Sequence, residues 1–195
     1  MSEIQKLIMN SYENAKKGKW EKVISEWKEI PLLARRCSRY QKSSSGWTFL
    51  HQAAYFGHEA VCIELIRLGA DPGRLSHDGK AAADVACENG HGALGSLLKQ
   101  AMPERDSLWA PSSDPDLLPG SNQWNEAEER WAAEFMLVAY GGGVVKIPKG
   151  GRFFVDSFDR VLVGWHGTYD PPCGMDGESM IWALTSREAK AKPDA

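Results

Sequence analysis

The chain has few cysteines and no overall excess of positive charge, and it lacks a long apolar run. Each absence removes a class of protein. Four cysteines are scattered at positions 37, 62, 87 and 173, with no Cys-x-x-Cys pair. That spacing suits neither a disulfide framework nor a thiolate zinc site, so reduced thiols are expected. No stretch approaches the roughly 18 apolar residues that span a bilayer. The first twenty residues, Met1 to Trp20, are polar and lysine-bearing, without the apolar centre of a signal peptide. The cytoplasm is therefore the expected compartment, with signal-independent secretion left open. The formal net charge is −3. A dedicated nucleic-acid binder usually carries a clear basic excess, so neither nucleic acid nor membrane is an expected partner. No cofactor and no metal are expected.

What is present is ordinary globular material: 195 residues, 43% hydrophobic and 25% charged, enough for one large domain or two small ones. Charge divides unevenly along it. Residues 1–102 hold 14 Lys/Arg and 11 Asp/Glu, a net of +3, whereas residues 103–195 carry a net of −6. Such a sign change fits two units with different surfaces.

The strongest signal is self-similarity. Gly46-Trp47-Thr48-Phe49-Leu50-His51-Gln52-Ala53-Ala54-Tyr55-Phe56-Gly57-His58 aligns with Gly79–His91, and glycine, alanine and histidine positions recur at a spacing of 33. The first copy continues through Ile63, Leu65 and Ile66 to Gly69-Ala70-Asp71-Pro72; the second continues through Leu94, Leu97 and Leu98. Ala53 and Ala54 are small enough to let a first helix lie against its neighbours. Gly57 stands where a helix end needs positive φ. Residues 46–72 resemble the ankyrin repeat, with Phe49 in place of its usual proline. In that family Thr48 and His51 would hydrogen-bond each other at the start of the first helix. In the second copy Ala81, Ala82 and Asp84 replace Thr, Pro and His, as in a degenerate terminal repeat. A third copy lies upstream, with Tyr12–Trp20 around Gly18 followed by Val23, Ile24 and Trp27. Gly18 precedes Gly57 by six residues more than the period, and the excess falls in Cys37–Ser45. That lengthened segment, with Arg35, Arg36, Arg39 and Lys42 around Tyr40, is either a solvated loop or a basic contact finger.

Two to three repeats leave an apolar face open at the C-terminal end of the stack, and the second half of the chain is expected to cover it. Pro103–Gln123 reads as a linker. Asn125 with Glu128 could cap a helix carrying Ala127, Trp131, Phe135 and Val138 on one face and ending at Gly141-Gly142-Gly143. Val144–Ile147, Arg152–Asp156 and Val161–Trp165 read as three strands of an antiparallel meander. A short apolar element at 179–184 and a polar tail complete the chain. Trp109, Trp124, Trp131, Trp165 and Trp182 are expected mainly in the core of this half. The fold class is therefore α+β: a short ankyrin-repeat helical array (1–102), a linker (103–123) and a small helix-plus-meander domain (124–195).

Ankyrin arrays grip partners through a concave face of finger tips and first helices. The resemblance places Trp47, Tyr55 and Phe56, then His77, Lys80 and Glu88, on that face, with Arg36, Arg39 and Tyr40 in the lengthened finger. The expected function is a protein-binding module that inhibits or scaffolds a partner, as an immunity protein does. The alternative is an effector or small enzyme whose repeats recruit a target for His166, Cys173, Asp176 and Glu178, a set able to supply a thiolate–imidazole pair or metal ligands. Pro171–Gly174 reads equally as a rigid turn, so no catalytic residue is assigned. Partner identity and oligomeric state are left open.

Overall fold

The computed structural model describes residues 2–103, 107–179 and 181. Seven helices come first: α1 (Glu3–Lys16), α2 (Trp20–Glu29), α3 (Pro31–Arg39), α4 (Phe49–Tyr55), α5 (Glu59–Arg67), α6 (Ala82–Glu88) and α7 (Gly92–Gln100). They stack as the pairs α1/α2, α4/α5 and α6/α7. Each pair is joined through a glycine with positive φ: Gly18 at 71°, Gly57 at 70° and Gly90 at 84°. Gly57 is required twice over, because a Cβ there would stand 2.5 Å from the His91 ring of the next pair. One apolar core runs through the stack, from Tyr12, Val23 and Leu33 through Phe49 and Leu65 to Leu98.

The excess expected in Cys37–Ser45 divides: Cys37–Arg39 end a helix, α3, packed against α1 and α2, and only residues 40–45 belong to the loop before α4. Pro31 sits at its first turn, where its missing N–H costs nothing. Leu33, Ala34 and Cys37 fall at helical spacing and are buried. The loop-or-finger expectation missed this periodicity.

The second half is a six-stranded mixed sheet: β1 (Leu118–Ser121), β2 (Glu128–Trp131), β3 (Met136–Tyr140), β4 (Gly143–Ile147), β5 (Arg152–Val155) and β6 (Val161–Leu162), in the order β2-β5-β6-β1-β3-β4. β1, in the segment expected to link the halves, lies inside the sheet and pairs in parallel with both β3 and β6. Ile147 of β4 and Phe153 of β5 share one apolar cluster with Val138, Val155 and Val163, so the sheet curls around its core.

The helix expected from Asn125 is absent. Trp124–Glu126 is one 3-10 turn, and the rest of that stretch is β2 and β3. Its helix-forming acidic residues are overruled by tertiary pairing: Glu128–Trp131 pairs residue by residue with Arg152–Val155. Gly141-Gly142 does not end a helix. It is the two-residue loop of the β3/β4 hairpin, with Gly141 at φ 53°. The three expected strands do form, but the meander does not. β5 and β6 are antiparallel neighbours, whereas β4 pairs with β3 at the far edge. The element expected at 179–184 and the tail lie outside the described residues, apart from Ser179 and Ile181.

Two arginines make the hydrogen bonds that join the halves, and Arg35 adds a looser ion pair to Glu134 at 3.8 Å. The turn between β5 and β6 inserts Phe158, 3% exposed, into the helical core beside the end of α7. Burying a phenylalanine contributes about 1.5–3 kcal/mol. Arg160 follows it, paired at 2.8 Å with the buried Asp156, and donates at 2.9 Å to the Ala101 carbonyl at the C-terminus of α7. A cation suits that end of a helix. Arg39 makes the second join. Its guanidinium donates to Leu68 O at 2.6 Å, Arg35 O at 3.1 Å, Ser112 O at 2.9 Å and Leu117 O. Burial lowers its pKa to about 10, so it stays charged at neutral pH. A Cβ on Gly69 would stand 2.3 Å from Arg39 Nη2, so this glycine makes room for the clamp.

Arg39→Ala leaves these carbonyls without their donor and is expected to lower unfolding stability by about 2–3 kcal/mol in urea denaturation. Arg39→Lys should restore less than half of the loss, because an ammonium lacks the planar fork. A loss below about 0.5 kcal/mol, ordinary for a surface substitution, would show that the clamp is idle.

Candidate protein-binding face

The face is built from the two loops that precede α4 and α6 and from those helices. The first loop closes through Lys42 N–H to Trp47 O and Gly46 N–H to Lys42 O, both 2.8 Å. Gly46 has φ 71°, and a Cβ on it would meet the backbone of His77 at 2.6 Å. The loops are tied together: His77 N–H donates to Ser45 O at 3.0 Å, and Gln41 Nε2 donates to Leu75 O at 2.9 Å. Two neighbouring loops thus form one continuous surface.

Thr48 and His51 set the start of α4. Thr48 Oγ1 lies 2.8 Å from His51 Nδ1, and His51 N–H donates to Thr48 Oγ1 at 3.3 Å. His51 Nε2 lies 3.0 Å from the Lys80 carbonyl of the next loop. A carbonyl can only accept, so Nε2 carries the proton and Nδ1 accepts from Thr48 N–H. The histidine is buried, and burial holds its pKa below the ordinary value of 6.5. In the next pair Asp84 stands in for the histidine, its carboxylate accepting from Ala81 N–H at 3.0 Å.

Trp47, Tyr55 and Phe56 come together. Tyr55 contacts Trp47 at 6.2 Å and Phe56 at 5.0 Å between ring centroids. Tyr55 is 44% exposed. Trp47 is half-buried, its inner edge against His51. Phe56 serves the stack as well: its ring lies over Gly18, where a Cβ would stand 3.1 Å away. Farther along, His77 is exposed, and Lys80 bridges to Glu88 at 2.7 Å. Among the described residues no sheet residue bonds to this group or stacks on it; the second half's bonds to the helices run from Arg35 and Arg39 of α3 and to the end of α7.

The three residues expected in a basic finger separate. Arg36 is exposed on α3. Tyr40 packs on Tyr12 at 5.3 Å and Phe49 at 6.1 Å. Arg39 is taken up by the clamp between the halves, where a run of arginines in sequence gave no sign of carbonyl partners. His166, Cys173, Asp176 and Glu178 are all exposed. Asp176 Oδ1 accepts from Glu178 N–H at 3.1 Å, and Gly174 N–H donates to Glu178 O at 2.8 Å, closing a tight turn. No group of three or more His, Cys, Asp or Glu among the described residues is placed to hold a metal ion. Cys37 and Cys62 are buried, and burial pushes both thiols up to about 12. Among the described residues no helix is long and apolar enough to cross a membrane. Trp131 and Trp165, expected mainly in the core, are 67% and 74% exposed.

Residues 45–76 match the ankyrin repeat family. The chain carries an ankyrin repeat. That segment covers the end of the first loop, α4, α5 and part of the second loop, so the aromatic group lies on ankyrin positions. Among curated proteins the chain is 38% identical over 81 residues to calmodulin-binding transcription activator 4 of Arabidopsis thaliana, a match covering 38% of this chain and 8% of that protein. It is 37% identical over 59 residues to a transient receptor potential cation channel subfamily A member 1 homolog of Caenorhabditis elegans, covering 30% of this chain and 5% of that one. It is also 38% identical over 65 residues to calmodulin-binding transcription activator CBT of Oryza sativa subsp. japonica, covering 30% and 7%. The chain thus spans less than a tenth of each of these relatives. Ankyrin repeats are protein-interaction modules, and the chain contains one.

Unfolding exposes His51, whose pKa then rises toward 6.5. The unfolded chain therefore binds more protons than the folded chain as pH falls through that value. This contribution to stability is complete above about 6.5 and is lost on acidification. The urea midpoint of the native chain should fall between about pH 7.5 and pH 5.5, and the fall should be smaller in His51→Gln. Equal falls in the two would assign the acid sensitivity to other groups.

Proposed function

We propose that this chain grips another protein through the concave face formed by its finger tips and first helices, and that it acts by occlusion or scaffolding in the cytoplasm. The observation that carries this reading is the aromatic group of Trp47, Tyr55 and Phe56. Thr48 and His51 hold the repeat together, yet Tyr55 beside them remains exposed, and the described part of the second half does not cover it. Clustered exposed aromatics are the usual anchors of protein interfaces. The sheet supports the reading from the other side. Its described residues meet the stack at α3 and at the end of α7, away from the aromatic group, as this reading requires. Inhibition of the partner, as by an immunity protein, is the form that occlusion would take.

The test begins with affinity capture from native lysate and continues with the captured protein purified and titrated against variants. Trp47→Ala with Tyr55→Ala should weaken binding at least ten-fold, about 1.4 kcal/mol. Trp131→Ala, on the sheet, should leave it unchanged, as should His166→Ala with Cys173→Ala. Binding that survives loss of the two aromatics but fails with Trp131→Ala would move the interface to the sheet. A partner that is bound normally but no longer altered by the His166/Cys173 variant would favour the effector reading.

A further inference from the structure

A hollow opens beside the aromatic group, and its chemistry says what kind of segment fits. It has a volume of about 420 Å³, with Tyr12, Trp47 and Tyr55 as walls, Gln52 at its base, and Lys16 and Lys42 among its lining. The walls are held in place. Tyr12 is 2% exposed; its hydroxyl donates to Trp47 O at 3.5 Å and accepts from Gln52 Nε2 at 2.9 Å. Lys42 Nζ donates to Glu13 Oε1 at 2.7 Å and lies 5.1 Å above the Tyr12 ring. An ammonium has three donors, so Lys42 keeps capacity for a further acceptor. Lys16 is exposed and makes no ion pair among the described residues. The Glu13 carboxyl is held below its ordinary range, first by the Lys42 hydrogen bond and then by the charges of Lys42, Lys16 and Lys17. One carboxylate therefore faces three ammonium groups at this end.

The far end of the same face has the opposite sign. Asp78 and Glu88 both approach Lys80, at 3.9 and 2.7 Å, and Asp84 lies on the same helix as Glu88. Three carboxylates there face one ammonium. The face thus runs from a net positive aromatic hollow to a net negative rim. Packed helices lie about 8–10 Å apart, and extended chain advances about 3.3 Å per residue. One or two steps along the stack correspond to roughly three to six residues of a bound strand.

We infer that the hollow receives an acidic side chain of an extended partner peptide, whose next apolar side chain lies on Trp47 and Tyr55 and whose basic residue follows about three to six positions away at Asp78 and Glu88. This deepens the finger-face reading above and rests on it. A phosphate backbone would meet like charge at the far rim, so the occupant is a polypeptide with both signs of charge. Burial of Tyr12 and the two hydrogen bonds on its hydroxyl make the hollow rigid before binding, which spares the ordering cost of a mobile site.

The test is selection of a random twelve-residue peptide library displayed on phage against the full chain. Enriched sequences should share Asp or Glu about three to six residues from Lys or Arg, with an apolar or aromatic residue between. A synthetic peptide of the enriched sequence should lose at least ten-fold in affinity against Lys16→Glu combined with Lys42→Gln, and should bind more weakly as salt is raised. Because Lys42 also holds Glu13, Lys16→Gln alone provides the second variant: it neutralises an exposed side chain that makes no ion pair among the described residues and adds no acid beside Glu13, so its thermal midpoint should stay within about 3 °C of the native chain while its affinity falls. Enriched peptides that lack an acidic residue, or that bind the lysine variants normally, overturn this inference and leave the finger-face reading standing. Enriched peptides that survive Trp47→Ala with Tyr55→Ala, or no enrichment over the bare support, overturn the finger-face reading itself.

Discussion

A stack of helix pairs has an apolar face at each end, and the last face must be covered or the stack frays. Here the cover is the turn between two strands of the second half. Phe158 enters the helical core, and the buried pair of Asp156 and Arg160 fixes the turn and satisfies the Ala101 carbonyl at the end of α7. An unpaired charge in that position would be costly. The pair is tolerated because Asp156 also accepts from the Phe158 and Arg160 amides. The position of the whole sheet follows from this contact and from the Arg39 clamp.

Both joins lie on the side of the second helices and of α3. The loops and first helices therefore keep their outer surface, which is where the aromatic hollow and the oppositely charged rim are found. Inward-facing and outward-facing residues divide the same repeat between them. Thr48 and His51 face inward and tie α4 to the next loop, whereas Tyr55, one helical turn later, faces outward. Phe56 belongs to both sides, packing over Gly18 while touching Tyr55.

The parts of the fold legible in the sequence are those set by local chemistry. Gly18, Gly57 and Gly90 could be recognised because a helix link with positive φ accepts few other residues, and the Thr48–His51 contact follows from the resemblance those positions carry. The second half was less legible because its structure is decided by distant pairing. Asn125 to Val138 has the composition of a helix, yet β5 supplies the backbone partners that make Glu128–Trp131 a strand. The strand runs at 144, 152 and 161 could be read, but their order could not, since nothing local reveals that β1 passes between β6 and β3. Arg39 shows the same limit at a single residue. Its sequence neighbours suggest a basic surface, and its role comes from carbonyls of Leu68, Ser112 and Leu117, far along the chain. Trp131 and Trp165 carry the reverse error: large aromatic residues suggested core, and strand geometry turned them outward.

The dependence of the stack on its cover can be measured by native-state amide hydrogen exchange on the full chain. The amides of α7 and those of β5 and β6 should open with the same free energy, as one cooperative unit. Exchange throughout the sheet while α7 stays fully protected would contradict this, because the helical array would then be complete without the half that is held to finish it.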